Sequence, residues 1–202
     1  MTFDISLQQI LLRIVAFLVI SAVHGFALVG LLTAFGDRGP RFDGRLSLSP
    51  LAHLDPMGAI TAICTLGGWI RPLQLDPAEL RQGRVSLALS VLGGLLAVVV
   101  VGLILLQLRS LAVAVLPPSA SNLINAWLIL LAQMSLVFAI MNLIPLPPFA
   151  GGYLLQAAAP RLFALVQPRT TIIAVVLMVL ALIDRGALVR QLLRPMINAI
   201  GA

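Results

Sequence analysis

Residues 7–32, LQQILLRIVAFLVISAVHGFALVGLL, decide the class of fold. Arg13 and His24 are the only ionisable side chains in this run. Its length exceeds the roughly 20 apolar residues that carry a helix across a bilayer. Two further runs, 85–106 and 123–144, contain no ionisable residue at all. All three read as membrane spans. The composition agrees: 60% of the 202 residues are hydrophobic and only 10% are charged, with a mean hydropathy of +1.10. A soluble domain of this length needs more surface charge. The first run is too long for a signal sequence and lacks a basic start and a small-residue cleavage site. The single cysteine, Cys64, excludes an internal disulfide and reads as a small packing residue.

Working outward, the chain is expected to be one integral membrane domain over 1–202, an all-α polytopic protein. The region 36–84 between the first two spans is polar and turn-rich. Within it Arg45-Leu46-Ser47-Leu48-Ser49 and Pro72-Leu73-Gln74-Leu75-Asp76 alternate in strand fashion and predict a small strand pair. The apolar piece between them, 58–70, is too short to cross and predicts a re-entrant segment, which is tolerated where protein covers its backbone. Arg38, Arg41 and Arg45 flank one side of this piece and Arg71, Arg81 and Arg84 the other, so the positive-inside rule puts both flanks in the cytoplasm. The loop 107–122 carries Arg109 as its one charge. Beyond a Pro/Gly motif at 145–152, residues 170–183 form a possible fourth span, interrupted by Asp184-Arg185. An amphipathic tail completes 184–202. Ser86, Ser90 and Gly94 recur every four residues on one face of the second span, a spacing of small residues that lets helices approach closely.

The net charge of +6 comes from arginine alone. Those arginines flank spans and form no patch interleaved with exposed aromatics, so nucleic acid is not an expected partner. Other membrane-protein subunits and lipids are.

Two stretches carry the chemistry: Val23-His24-Gly25-Phe26-Ala27-Leu28, and Asn142-Leu143-Ile144-Pro145-Leu146-Pro147-Pro148-Phe149-Ala150-Gly151-Gly152. Together they resemble the active-site frame of the site-2 protease family, the intramembrane zinc metalloproteases. Ala34-Phe35-Gly36-Asp37, residues 44–56, Gly68-Trp69-Ile70-Arg71-Pro72 and Leu75-Asp76-Pro77 extend the resemblance over roughly residues 15–156. The resemblance implies His-Glu-x-x-His on the first helix, two zinc ligands and a base, and an Asp ligand in the later motif. Here His24 stands at the first ligand position. Gly25 replaces the glutamate, Leu28 the second histidine and Ala150 the aspartate. Catalytic zinc sites use three protein ligands plus an open position, and one imidazole does not meet that need. No cofactor is therefore expected, and His24 reads as a relic ligand hydrogen-bonded to Asn142 or to a backbone carbonyl.

The resemblance then implies a pseudoprotease of the bacterial inner membrane, a binding subunit or assembly factor of a larger complex. In the active relatives the motif after the third span lies beside the scissile peptide. His24, Asn142, Pro145, Pro147, Pro148, Gly151 and Gly152 are accordingly the expected partner groove. The alternative is an active metalloprotease with an atypical ligand set of His24, His53 and Asp55. It lacks a base, because Glu79, the sole glutamate, sits among the loop charges.

Overall fold

A computed structural model describes residues 5–184 and 186–201, so Arg185 lies outside it. Helix α1, Leu7–Phe35, starts at a capping box in which Ser6 accepts from the Gln9 N–H, and ends at Gly36 with φ 122°. Only glycine takes that conformation cheaply. Helix α5, Arg84–Leu106, and helix α7, Pro118–Met141, complete the central bundle. Their apolar stripes meet in one core. Phe17, Ile20, Leu28 and Leu32 come from α1, Leu87, Val91, Leu95 and Val98 from α5, and Leu131, Met134, Val137 and Phe138 from α7. Each set follows the three-and-four spacing of a helix face.

Small residues set how closely these helices pack. Ser86, Ser90 and Gly94 are all buried. A Cβ on Gly94 would lie 3.2 Å from the Leu28 Cβ and 3.3 Å from the His24 ring. One on Gly102 would meet Ser135 at 2.7 Å, so α5 is drawn against α1 and α7 by the same device.

Short helices α2 (Gly39–Phe42) and α3 (Pro50–His53) lead into α4 (Pro56–Thr65). Helix α4 runs alongside α1. Its carbonyl end, which has no intrahelical donors, is served by arginines. Arg13 donates to the Ile63 carbonyl, and Arg190 donates to that of Cys64 at 3.2 Å. Leu66 then turns the chain back in the left-handed region at φ 68°. Its start is fixed by Asp55, whose Oδ1 accepts from the Gly58 N–H at 2.8 Å and from the Trp69 indole at 3.0 Å.

The expected strand pair is absent: among the described residues there is no strand, only an isolated antiparallel bridge between Leu54 and Ile70. Side chains take the groups a ladder would use. The Ser47 carbonyl pairs with His53 Nε2, that of Arg71 accepts from Arg45, and both backbone groups of Leu73 bond the Tyr153 hydroxyl. Pro50 and Pro72 supply no N–H.

Among the described residues four helices, not three, are long and apolar enough to cross a membrane: Leu7–Phe35, Arg84–Val115, Pro118–Met141 and Pro160–Asp184. The second includes α6, Arg109–Val115. The third begins at Pro118 and ends at Met141 rather than covering 123–144, because Asn142 turns the chain and binds its own helix at the Phe138 carbonyl. The fourth extends the possible span at 170–183 backwards. Helix α9, Pro160–Val166, runs through one 3-10 turn into α10, Thr170–Asp184. Helix α8, Gly151–Ala158, packs on α5, while α10 leans on α4. The tail forms α11, Ala187–Gly201, against α7 and α4.

Candidate functional site

His24, Gly25 and Leu28 are neighbours on α1 and are all buried, His24 and Leu28 towards α5 and the loop that follows α7, and Gly25 against His53 at the end of α3. His24 meets the ring of Phe138 edge-on, with centroids 5.2 Å apart. Neither of its ring nitrogens has a hydrogen-bond partner. The expected bond to Asn142 is not made, because that side chain is fully engaged elsewhere. Asn142 Nδ2 donates to the carbonyls of Gly68 at 2.7 Å and Phe138 at 2.9 Å, and Oδ1 accepts from the Ala150 N–H at 3.0 Å.

Those three bonds explain why an asparagine begins the motif. It ties the end of α7 to the returning loop at Gly68 and to the start of α8 at Ala150. The glycines of the motif are steric. A Cβ on Gly151 would fall 2.1 Å from the Ile144 carbonyl oxygen, and one on Gly152 would lie 3.0 Å from the Pro147 ring. Pro147 and Pro148, joined by a cis peptide, are buried beside them, whereas Pro145 is exposed. Phe149 closes the turn edge-on against Trp69, with centroids 5.7 Å apart.

The three positions that the resemblance assigns to ligands converge. His24, Leu28 and Ala150 line one enclosed pocket with Pro148, Tyr153 and Leu73. Its volume is about 10 Å³, room for roughly one water molecule. Position 25, which the resemblance assigns to a glutamate base, is filled from another direction. A Cβ on Gly25 would sit 2.1 Å from His53 Nδ1 and 2.3 Å from its Cγ, so the imidazole of His53 occupies the volume a side chain at 25 would enter. His53 Nε2 lies 2.8 Å from the Ser47 carbonyl and donates to it, which leaves Nδ1 as a buried lone pair without a donor. Burial lowers the pKa of His53. The Ser47 carbonyl opposes that shift and the nearby Arg45 charge reinforces it.

The extended segment Ile70–Leu73 is the outer wall of this pocket and is pinned at every turn. The Arg71 N–H bonds the His53 carbonyl at 2.8 Å, and its own carbonyl accepts from Arg45 at 2.7 Å. Tyr153 accepts from the Leu73 N–H at 2.6 Å and donates to its carbonyl at 3.0 Å. Burial pushes the Tyr153 hydroxyl up to about 12, with the Leu73 bond opposing. The hydroxyl therefore stays protonated and can serve both backbone groups.

Zinc does not fit the donor set. One imidazole faces the pocket, the two other ligand positions are aliphatic, and the space is that of a single water. Among the described residues no group of three or more His, Cys, Asp or Glu could share a metal. Asp55 Oδ1 is committed to Gly58 and Trp69, so the set His24, His53 and Asp55 does not assemble. Sequence reasoning missed His53 as the group that fills the Gly25 position, and Tyr153 as the clamp. The one available signal was rarity: the chain has two histidines and one tyrosine.

Four helices long and apolar enough to cross a membrane, closing around this small pocket, define a polytopic helical membrane protein. The comparisons agree at that level. The chain is 28% identical over 157 residues, 74% of its length and 72% of the relative's, to a Bacillus subtilis (strain 168) protein named "Putative zinc metalloprotease YwhC". This similarity supports a site-2-protease-like relationship. No family model matches the chain, and no solved structure gives a significant match.

Proposed function

We propose that this chain is a non-catalytic relative of the site-2 proteases, acting in a bacterial inner membrane as a binding subunit or assembly factor of a larger membrane complex. The observation that carries the proposal is the exchange at Gly25. The volume of a catalytic glutamate is held by the imidazole of His53, while Leu28 and Ala150 turn the ligand positions into the walls of a water-sized pocket. A hydrolytic zinc needs three ligands and a base to direct its water. Neither is offered here.

The groove is partly self-occupied, since Ile70–Leu73 lies over His24. Partner contact therefore falls to the rim, where Leu143, Ile144 and Pro145 are exposed beside the buried loop. The weakly covered fourth span adds apolar surface for neighbouring helices. Extraction in a mild detergent tests the proposal. It predicts a discrete species larger than the monomer, with photo-crosslinks from Leu143 and Pro145 positions to one partner. A monomer at every detergent concentration, with no crosslink from either position, overturns the scaffold role. The alternative of a protease with an atypical ligand set has less support, because Asp55 is engaged with Trp69 and the cap of α4.

A further inference from the structure

Between Arg84 and Arg161 the chain holds one charged side chain, Arg109. It opens α6 and is half-buried there. Two cavities flank this helix. One, of about 560 Å³, is lined by Leu106, Gln107, Arg109, Ser110, Val113 and Asn125. The other, of about 610 Å³, is walled by Leu105, Leu108, Leu111, Ala112, Val115 and Trp127 among other apolar side chains. The helical period explains the division. Leu108, Leu111, Ala112 and Val115 share one face, and Arg109, Ser110 and Val113 share the next. Both volumes lie in the range of about 300–1,000 Å³ typical of ligand sites. The indole N–H of Trp127, on the wall of the apolar cavity, is buried without an acceptor.

We propose that α6 is the divider of a binding site for an anionic phospholipid. The phosphate sits with Arg109, Ser110, Gln107 and Asn125, and an acyl chain fills the apolar cavity on the other face. The guanidinium supplies charge-assisted hydrogen bonds that no carboxylate of the cavity competes for. The same lack of a carboxylate leaves the ammonium of a zwitterionic head group unpaired, so a net negative lipid is preferred. The site is independent of whether the protein cleaves, docks or does neither.

Native mass spectrometry of the full chain in mild detergent tests this. It would be titrated with phosphatidylglycerol, with phosphatidylcholine of the same acyl chains, and with glycerol 3-phosphate. Phosphatidylglycerol is expected to bind on the order of tenfold tighter than phosphatidylcholine, the scale of one charged hydrogen bond. Arg109→Gln is expected to remove that preference while phosphatidylcholine still binds, which shows that the variant is folded. Arg109→Lys keeps most of the preference. Ala112→Trp fills the apolar cavity and weakens both lipids alike. Glycerol 3-phosphate alone does not bind. Equal binding of the two lipids, or a preference that survives Arg109→Gln, overturns the proposal. So does glycerol 3-phosphate binding as tightly as the lipid and insensitive to Ala112→Trp, which assigns the site to a free anion. Lipid binding unaffected by Ala112→Trp, with a co-purified polypeptide over α6, assigns the apolar cavity to a partner helix and also overturns it.

Discussion

The loop at 142–152 and the helical turn at 24–28 face the same small pocket, yet they are held in opposite ways. In the loop both side-chain polar atoms of Asn142 are bonded, and Gly151 and Gly152 are required by carbonyl and ring atoms 2.1 to 3.0 Å from where a Cβ would stand. In the helical turn His24 has two unpartnered nitrogens, and Gly25 is small because another side chain has taken its space. One half of the frame keeps residues whose role is to shape the backbone. In the other half, the positions that the resemblance assigns to ligands and base are packed by apolar side chains and by the His53 ring. The two halves therefore differ in what holds them: hydrogen bonds and close backbone approach in one, side-chain packing in the other.

Variants at each half break or sharpen that contrast. The largest effect is expected from Gly25→Glu. The new side chain collides with the His53 ring and buries a carboxyl without a partner, costing more than about 3 kcal/mol by the usual scale of overpacking and polar burial. Adding His53→Gly should recover at least half of the loss, read as thermal unfolding in detergent. If the single variant is as stable as the parent, the ring does not occupy that volume. Asn142→Leu comes next, at about 2–4 kcal/mol, because it strands the Gly68 carbonyl and the Ala150 N–H in the interior. Tyr153→Phe should cost about 1–2 kcal/mol. In a Cys64→Ala background it should also speed maleimide labelling of a cysteine placed at Leu73. Unchanged labelling would show that the hydroxyl does not clamp that segment.

The smallest effect is a pH dependence. Burial lowers the pKa of His53 in the folded state, so the unfolded chain binds its proton more readily. The stability this neutral imidazole contributes is present above the ordinary histidine value of about 6.5 and drains away as pH falls below it. Unfolding midpoints measured from pH 8 downwards should decline, and the decline should be shallower in His53→Gln. Equal slopes would place the titrating group elsewhere.

Hydropathy alone made the central bundle legible, because α1, α5 and α7 coincide with runs that no soluble fold would leave so free of charge. The four-residue spacing of Ser86, Ser90 and Gly94 pointed to a packed face for the same local reason. The strand pair was misread because alternation in Leu46-Ser47-Leu48-Ser49 reports only which side chains are apolar. Whether the backbone finds a ladder depended on His53 and Tyr153, which lie outside both stretches, and on Arg45 reaching across to the Arg71 carbonyl. The fourth span was seen only in part. Pro160 and Pro168 look like breaks in sequence, yet Pro160 starts one helix and Pro168 sits in the 3-10 turn that joins it to the next. At the site, the convergence of positions 24, 28 and 150 on one pocket follows the order of the two motifs in the sequence. The filling of the Gly25 volume by a histidine 28 positions later (53 − 25) was not legible there, because it depends on how α3 docks against α1.

Metal content measured together with cleavage tests the central claim most directly. The purified full-length chain would be assayed for zinc and for cutting of a membrane-embedded reporter, with and without a chelator. The account predicts far less than one zinc per chain and no chelator-sensitive product. One zinc per chain, with cleavage that the chelator abolishes, would contradict it.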